Sequence, residues 1–153
     1  MLIEKSFYDA HKRMIEKKWD KIYVLIDIHN TIFKPSYHNK ETFEWFKEAK
    51  ETLQLMTKCK EICLILWTSS HEDKIKEYLK VFEENEIHFD YVNENPEVKN
   101  DDLGNFDDKL YFNVGIDDKF GFIADRDWRA VYNKVKTDFF NKENKWIETE
   151  MCK

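Results

Sequence analysis

The sequence has 153 residues, a formal net charge of -6, 42% hydrophobic and 37% charged side chains, and 16% aromatic residues. This length fits one domain with a core of its own, and aromatic residues on this scale argue against a disordered chain. The acidic balance, without a basic stripe, argues against binding to long nucleic acid, whose affinity comes mostly from neutralised phosphates.

Neither a membrane segment nor a secretory signal is expected. The longest apolar run, ICLILW at 62–67, is far shorter than a membrane span. The N-terminal stretch mixes charges of both signs and lacks the apolar segment of a signal peptide. The odd number of cysteines (Cys59, Cys63 and Cys152) then predicts reduced thiols and a cytoplasmic protein.

Apolar periodicity predicts alternating helices and strands. In chain order these are a helix over 6–18 with Ser6 as its cap, a strand over 21–27, a helix over 41–58, a strand over 61–68, a helix over 69–85, strands over 87–93 and 111–117, a candidate fifth strand over 121–124, and a helix over 127–140. The first helix is expected to bury Phe7, Ala10, Met14 and Ile15. The alternation predicts a Rossmann-like three-layer α/β fold, with a central parallel sheet flanked by helices. Residues 1–153 are expected to form a single domain, with a core over 22–140 and a short C-terminal tail over 141–153.

Polar side chains follow three of the predicted strands. Asp27 ends the first, Thr68 and Ser69 follow the second, and Asp117 and Asp118 follow the fourth. Ligands bind at the carboxyl ends of parallel strands, so these side chains are expected to lie close together. Neighbouring carboxylates repel and are costly to bury, which implies a cation between them, most simply Mg²⁺ with oxygen ligands. A magnesium ion beside a free carboxylate indicates phosphoryl chemistry.

Phosphate would need partners of its own at this edge. The hydroxyl of Thr68 and the backbone N–H groups at the start of the following helix are suited to hold phosphate oxygens. Lys109, just ahead of the fourth strand, is the best candidate for the cation that completes the charge balance.

These residues resemble the haloacid dehalogenase-like superfamily of phosphatases, in a small form without a large cap domain. The first motif, a hydrophobic strand followed by Asp-x-Asp-x-Thr, is similar to YVLIDIHNTI, and the second is similar to LILWTS. The third and fourth motifs fall in DDKLYFNVGIDD. The stretch KLYFNVGIDDKFGFIADRDW also resembles a subgroup of small bacterial and phage hydrolases. The resemblance covers residues 22–128.

The resemblance implies roles for the acidic residues. Asp27 would be the nucleophile that forms an aspartyl-phosphate, and also a magnesium ligand. The backbone carbonyl of His29 would be another ligand, Asp117 would complete the metal site, and Asp118 would assist through the metal's water shell. Thr31 would help to fix the loop.

The same resemblance implies roles in phosphate binding. Thr68 would bind the transferring phosphoryl group and Lys109 would stabilise its charge. Ser69 would help to hold phosphate, although a role as a helix cap explains it equally well.

His29 departs from the family pattern, because the second position after the nucleophile is usually an aspartate that serves as general acid and base. Three interpretations stay open. His29 could perform the same proton transfers, since an unperturbed imidazole has a pKa of about 6.5. The role could instead be lost, which typically costs roughly 10²–10⁴-fold in rate. In the third interpretation the site only binds a phosphorylated ligand or partner.

The sequence therefore predicts a Mg²⁺-dependent phosphomonoester hydrolase that acts on a small phosphorylated metabolite, with a nucleotide as one option. The alternative is a catalytically weakened relative that binds a phosphorylated ligand or a protein partner. Residues 83–108 carry ten acids against one lysine and read as a long loop, not a cap domain, so the site is expected to be open. Alternatively, a partner subunit contributes a lid over the site. No membrane partner is expected.

Overall fold

The computed structural model describes residues 2–35, 43–98, 104 and 109–140. Its elements are α1 (Leu2–Glu16), β1 (Ile22–Asp27), α2 (Ala49–Thr57), β2 (Ile62–Trp67), α3 (Glu72–Glu84), β3 (Tyr91–Val92), β4 (Val114–Ile116), a 3₁₀ turn (Asp118–Phe120), α4 (Ala124–Val135) and a π-helical turn (Lys136–Phe140). The strands form one parallel sheet in the order β3-β2-β1-β4. The expected α/β fold, a parallel sheet flanked by helices, is confirmed.

The two central strands are apolar along almost their whole length, as strands buried in a parallel sheet should be. β1 pairs with β2 in a register that runs from Ile22 opposite Ile62 to Asp27 opposite Trp67. On its other side β1 pairs with β4, with Ile26 opposite Ile116. The carboxyl ends of three adjacent strands therefore lie at one edge of the sheet.

Alternate residues of the strands point to opposite faces and build two clusters. Val24 and Ile26 join a large core to which α1, α2, α3 and α4 all contribute buried side chains. Leu25 and Ile65 face the other way, into a small cluster that also receives Phe112 from the connection between β3 and β4. The sheet therefore buries apolar side chains on both of its faces.

The first helix differs from the expected one in both bounds. It begins at Leu2, so Ser6 lies inside it and does not cap it. It ends at Glu16 because Lys18 adopts a left-handed φ of 57° and the N–H of Trp19 bonds back to the carbonyl of Met14 at 2.9 Å, a Schellman ending. Ile15 is 61% exposed, so its expected burial is wrong.

The second helix begins at Ala49, well after the expected residue 41. Trp45 instead forms an antiparallel bridge with Phe33, and the two rings pack at 4.8 Å. Glu48, just before the helix, has a left-handed φ of 70°, which separates this extended stretch from α2. Residues 41 and 42 lie outside the described residues.

The strands and helices of the second half are shorter than expected or displaced. Only Tyr91–Val92 of 87–93 and Val114–Ile116 of 111–117 pair in the sheet, and α3 begins at Glu72. The candidate strand 121–124 is wrong, because α4 begins at Ala124, three residues before the expected start. The carboxylate of Asp127 accepts a hydrogen bond from the N–H of Ile123 at 2.8 Å, which stabilises this earlier start.

The expected tail over 141–153 lies outside the described residues. Within the described ranges no cap domain interrupts the fold. None of the helices in these ranges is long and apolar enough to cross a membrane.

Candidate metal and phosphate site

Three carboxylates converge at the carboxyl edge of the sheet. Asp27 is the last residue of β1, and Asp117 and Asp118 follow β4 directly. One carboxylate oxygen from each residue lies within 4.8 Å of the oxygens from the other two. The side chains that the sequence predicts to meet at this edge are therefore neighbours.

The electrostatics of this cluster are unfavourable without a cation. Burial, together with the negative charge of Asp117, raises the pKa of Asp27 to about 6. Burial also raises the pKa of Asp117, and the adjacent Asp118 adds to the rise. For Asp118 burial acts in the same sense, but hydrogen bonds from Asn30 and from the two other carboxyl groups outweigh it and lower its pKa. The donor set consists of oxygens, so these residues fit a hard divalent cation such as Mg²⁺.

The turn that follows β1 connects the acidic residues of two strands. The hydroxyl of Thr31 donates a hydrogen bond to Asp27 Oδ2 at 3.2 Å and accepts one from the N–H of Asp118 at 3.2 Å. Asn30, at a left-handed φ of 58°, donates its side-chain amide to Asp118 Oδ2 at 3.1 Å. Thr31 is fully buried, and both of its hydrogen bonds end on partly buried residues.

The core supports this turn from below. The indole Nε1 of Trp128 in α4 donates a hydrogen bond to the backbone carbonyl of Thr31 at 2.8 Å, and both residues are fully buried. The position of the turn is thereby set by a helix that follows it by almost a hundred residues. The sequence around Trp128 contains no local pattern that indicates this contact, so the connection of Trp128 with the site could not be predicted.

At the tip of β2, a side chain from the end of β3 fixes the backbone of Thr68. The side chain of Asn93 accepts a hydrogen bond from the N–H of Thr68 at 2.8 Å and donates one to its carbonyl at 2.7 Å. The Thr68 hydroxyl donates to Ser70 Oγ at 3.0 Å and accepts from the N–H of Ser70 at 3.1 Å. Thr68 is therefore held at the edge of the sheet, ahead of α3. The sequence predicts that its hydroxyl binds phosphate at this position.

His29 is exposed and belongs to the same hydrogen-bonded group. Its Nε2 lies 3.3 Å from Ser70 Oγ and 3.4 Å from the hydroxyl of Tyr78, and the Tyr78 ring packs edge-on at 5.5 Å. Its Nδ1 has no hydrogen-bond partner among the described residues. The ring is thus fixed through one nitrogen while the other is available for proton transfer.

Ser70 and Lys119 form hydrogen bonds with residues of the site, whereas Ser69 and Lys109, which the sequence predicts as phosphate ligands, do not. Ser69 is exposed, and its side chain forms no hydrogen bond with described residues. Lys109 is also exposed, without a hydrogen bond or ion pair to any described residue. Lys119 donates its backbone N–H to Asp117 Oδ1 at 2.9 Å, and its positive charge acts against the rise of the Asp117 pKa. The phosphate-binding roles of Ser69 and Lys109 stay predictions.

No protein-family model and no curated protein matches the sequence. Among solved structures, a conserved protein coded by a locus from Bacteroides thetaiotaomicron is similar, with a TM-score of 0.59 and 24% sequence identity. The match covers 76% of this chain and 91% of that chain. At this identity the similarity supports a shared fold and carries no functional assignment.

Proposed function

We propose that the chain is a magnesium-dependent phosphomonoester hydrolase of the haloacid dehalogenase-like type, acting through an aspartyl-phosphate on Asp27. The observation that carries the proposal is the convergence of the Asp27, Asp117 and Asp118 carboxylates to within 4.8 Å at the edge of the sheet. The buried Thr68 hydroxyl at the tip of the adjacent strand supports it.

The metal would be held by the carboxylates of Asp27 and Asp117 and by the backbone carbonyl of His29, with Asp118 assisting through water. A bound Mg²⁺ neutralises phosphate charge and favours the ionised carboxylates. The raised pKa values of Asp27 and Asp117 are consistent with carboxylates arranged for a cation. Thr31 and Asn30 would hold Asp27 and Asp118 in place.

The reaction has two steps. In the first, a carboxylate oxygen of Asp27 attacks phosphorus, the bond from phosphorus to the ester oxygen breaks, and the departing alkoxide takes a proton. In the second, water attacks phosphorus of the aspartyl-phosphate, gives its proton to a base, and releases inorganic phosphate with a free Asp27 carboxylate. Thr68 would orient the phosphoryl group through its hydroxyl.

His29 is the proposed donor and acceptor of these protons. Its ring is oriented by Ser70 and Tyr78, and Nδ1 has no partner among the described residues, which leaves one nitrogen for the leaving group and then for water. A catalytically weakened protein that binds a phosphorylated ligand or a protein remains the alternative, because no carboxylate among the described residues hydrogen-bonds to the imidazole.

The proposed substrate is a small phosphorylated metabolite. The described residues contain no cap domain over the site, so the leaving group would be bound by the edge of the sheet itself. The buried thiol of Cys63 forms no disulfide with a described residue, which supports a reducing compartment, and the proposal includes a cytoplasmic location.

Hydrolysis of a panel of phosphate esters, with Mg²⁺ and with chelator, tests the proposal. Phosphate release should require Mg²⁺ and be abolished by Asp27→Asn. The matched control is Asp125→Asn, which neutralises an exposed acid on α4 outside the cluster and should leave activity unchanged.

The same panel assigns the role of His29. His29→Ala should lower the rate by roughly 10²–10⁴-fold, the usual contribution of a general acid or base, while the magnesium affinity is retained. If neither the wild type nor Asp27→Asn hydrolyses any ester of the panel, the hydrolase proposal is wrong, and the protein that only binds a phosphorylated ligand or a partner is the alternative that is left.

A further inference from the structure

Trp67 lies beside the proposed nucleophile. It ends β2 directly before Thr68, and it is the register partner of Asp27 across the parallel pair. Paired residues on neighbouring parallel strands lie about 4.8 Å apart and point to the same face. The indole and the carboxylate therefore share one face of the sheet, the face that carries Leu25 and Ile65 further down the strands.

Trp67 differs from the other described tryptophans in lacking a specific partner. Trp19 lies under the ammonium group of Lys17 at 5.8 Å. Trp45 packs on Phe33 at 4.8 Å, and Trp128 is fully buried and donates its N–H to a carbonyl. Trp67 is 39% exposed and has neither a hydrogen bond nor an aromatic or cation contact with described residues.

A second exposed ring lies on the other side of β1. The ring of Phe120 lies against Gly115 of β4, only 2.9 Å from the point where a β-carbon would stand. Gly115 is the register partner of Leu25, so Phe120 covers the same face of the sheet as Trp67. Phe120 is 57% exposed. Two exposed aromatic side chains thus flank the strand that carries Asp27.

We propose that the substrate's leaving group contains a planar aromatic ring, as in a nucleoside monophosphate, and that this ring stacks on Trp67 while Phe120 forms the opposite wall. The inference rests on the proposed function, because it takes the phosphoryl group to be bound at Asp27 and Thr68. An exposed indole that has no hydrogen-bond, aromatic or cation partner among the described residues and is adjacent to the phosphate position offers a flat apolar surface on which a nucleobase can stack.

Paired substrates test the inference. Adenosine 5′-monophosphate and ribose 5-phosphate share the sugar and phosphate and differ in the ring, and phenyl phosphate places a ring directly on the ester oxygen. Base–aromatic stacking corresponds to roughly fivefold or more in affinity. We expect kcat/KM for adenosine 5′-monophosphate to exceed that for ribose 5-phosphate by about this factor. If phenyl phosphate is hydrolysed faster than adenosine 5′-monophosphate, the substrate is an aryl phosphate and the assignment of a nucleotide is wrong.

Matched variants locate the effect. Trp67→Leu should reduce the ratio between the two sugar phosphates to about one, and Trp67→Phe should retain part of the preference. Trp19→Leu is the control, because Trp19 precedes β1 at the opposite end of the strand; it should leave the ratio unchanged.

Binding provides a readout independent of turnover. In the slow His29→Ala protein with Mg²⁺, adenosine 5′-monophosphate should quench tryptophan fluorescence, ribose 5-phosphate should not, and adding Trp67→Leu should remove the quenching. Equal kcat/KM for both sugar phosphates, or a preference that survives Trp67→Leu, would overturn the stacking role while hydrolysis itself persists. Absence of hydrolysis and binding for every phosphate ester would overturn the proposed function together with this inference.

Discussion

The hydroxyl of Thr31 donates a hydrogen bond to the carboxylate of Asp27 at 3.2 Å, from a fully buried position. The same oxygen accepts the N–H of Asp118 at 3.2 Å, so one side chain connects the ends of two strands. The bond to Asp27 favours the ionised carboxylate and opposes the rise of its pKa caused by burial and by Asp117. Thr31 is therefore a positioning residue for the carboxylate proposed as the nucleophile.

Replacement of Thr31 by valine tests this relationship, because it keeps the shape and removes the hydroxyl. The partly buried carboxylate of Asp27 and N–H of Asp118 would each lose a partner, so two hydrogen bonds, each typically contributing about 0.5–1.5 kcal/mol, are removed. We expect a loss of that size in the free energy of unfolding, measured by urea denaturation, and a lower magnesium affinity. Thr31→Ser keeps the hydroxyl and should lose much less, and equal effects of the two substitutions would contradict the assigned role.

Stability should depend on pH through Asp27. Its pKa is about 6 in the folded protein and about 3.9 in an unfolded chain, so the folded state binds the proton more tightly. When a chelator removes metal ions, the protonation of Asp27 stabilises the folded state. This contribution to the free energy of unfolding is complete below about pH 4 and is lost as the pH rises through about 6. We expect the wild type to lose stability relative to Asp27→Asn over this interval, measured by urea denaturation at several pH values. A constant difference between the two proteins would rule out the raised pKa.

Bound magnesium should offset the repulsion between the carboxylates of Asp27, Asp117 and Asp118. A cation that binds only the folded state at a hundred times its Kd adds about 2.7 kcal/mol to the free energy of unfolding. We expect a rise of the melting temperature on titration with Mg²⁺, and a weaker response in Asp117→Asn. In chelator the same variant should be at least as stable as the wild type, because it removes one of the mutually repelling charges.

The control for the metal titration is Asp125→Asn, which lies on the exposed face of α4 and should respond to Mg²⁺ as the wild type does. A magnesium response in Asp117→Asn equal to that of the wild type would place the bound ion elsewhere.

The positions of the two central strands, β1 and β2, and the meeting of the strand ends could be predicted from the sequence, because the central strands are continuous apolar runs that end abruptly in polar residues. Strand ends in a parallel sheet share one edge, so the proximity of Asp27 and Asp117 follows from the order of elements. The starts of α2 and α4 could not be predicted in this way. Trp45 lies in an extended stretch before α2 because its ring packs on Phe33, a contact between separate parts of the chain. The side chain of Asp127 accepts the N–H of Ile123, and apolar periodicity does not indicate this bond.

The residues that support the site were harder to predict than those that form it. Asn93 fixes both backbone groups of Thr68, yet in the sequence it is only the polar end of a short strand. Ser70 looks like a helix cap, while in the structure it bonds to both Thr68 and His29. Such contacts join separate parts of the chain, and local periodicity carries no information about them.

Trp128 should affect the site from a distance. Phenylalanine in its place keeps an aromatic ring in the core but removes the N–H that Thr31 O accepts at 2.8 Å, which leaves a fully buried carbonyl without that donor. We expect a loss of about 1–3 kcal/mol in the free energy of unfolding for the missing bond, with a further cost for the smaller ring. Because Thr31 holds Asp27 and Asp118, magnesium affinity measured by calorimetry should fall as well. Trp45→Phe is the control, since the Trp45 ring packs on Phe33 and Phe82 and its side chain makes no hydrogen bond to a described residue; it should cost stability without weakening magnesium binding. Equal magnesium affinities in the two variants would show that the turn keeps its position without the indole.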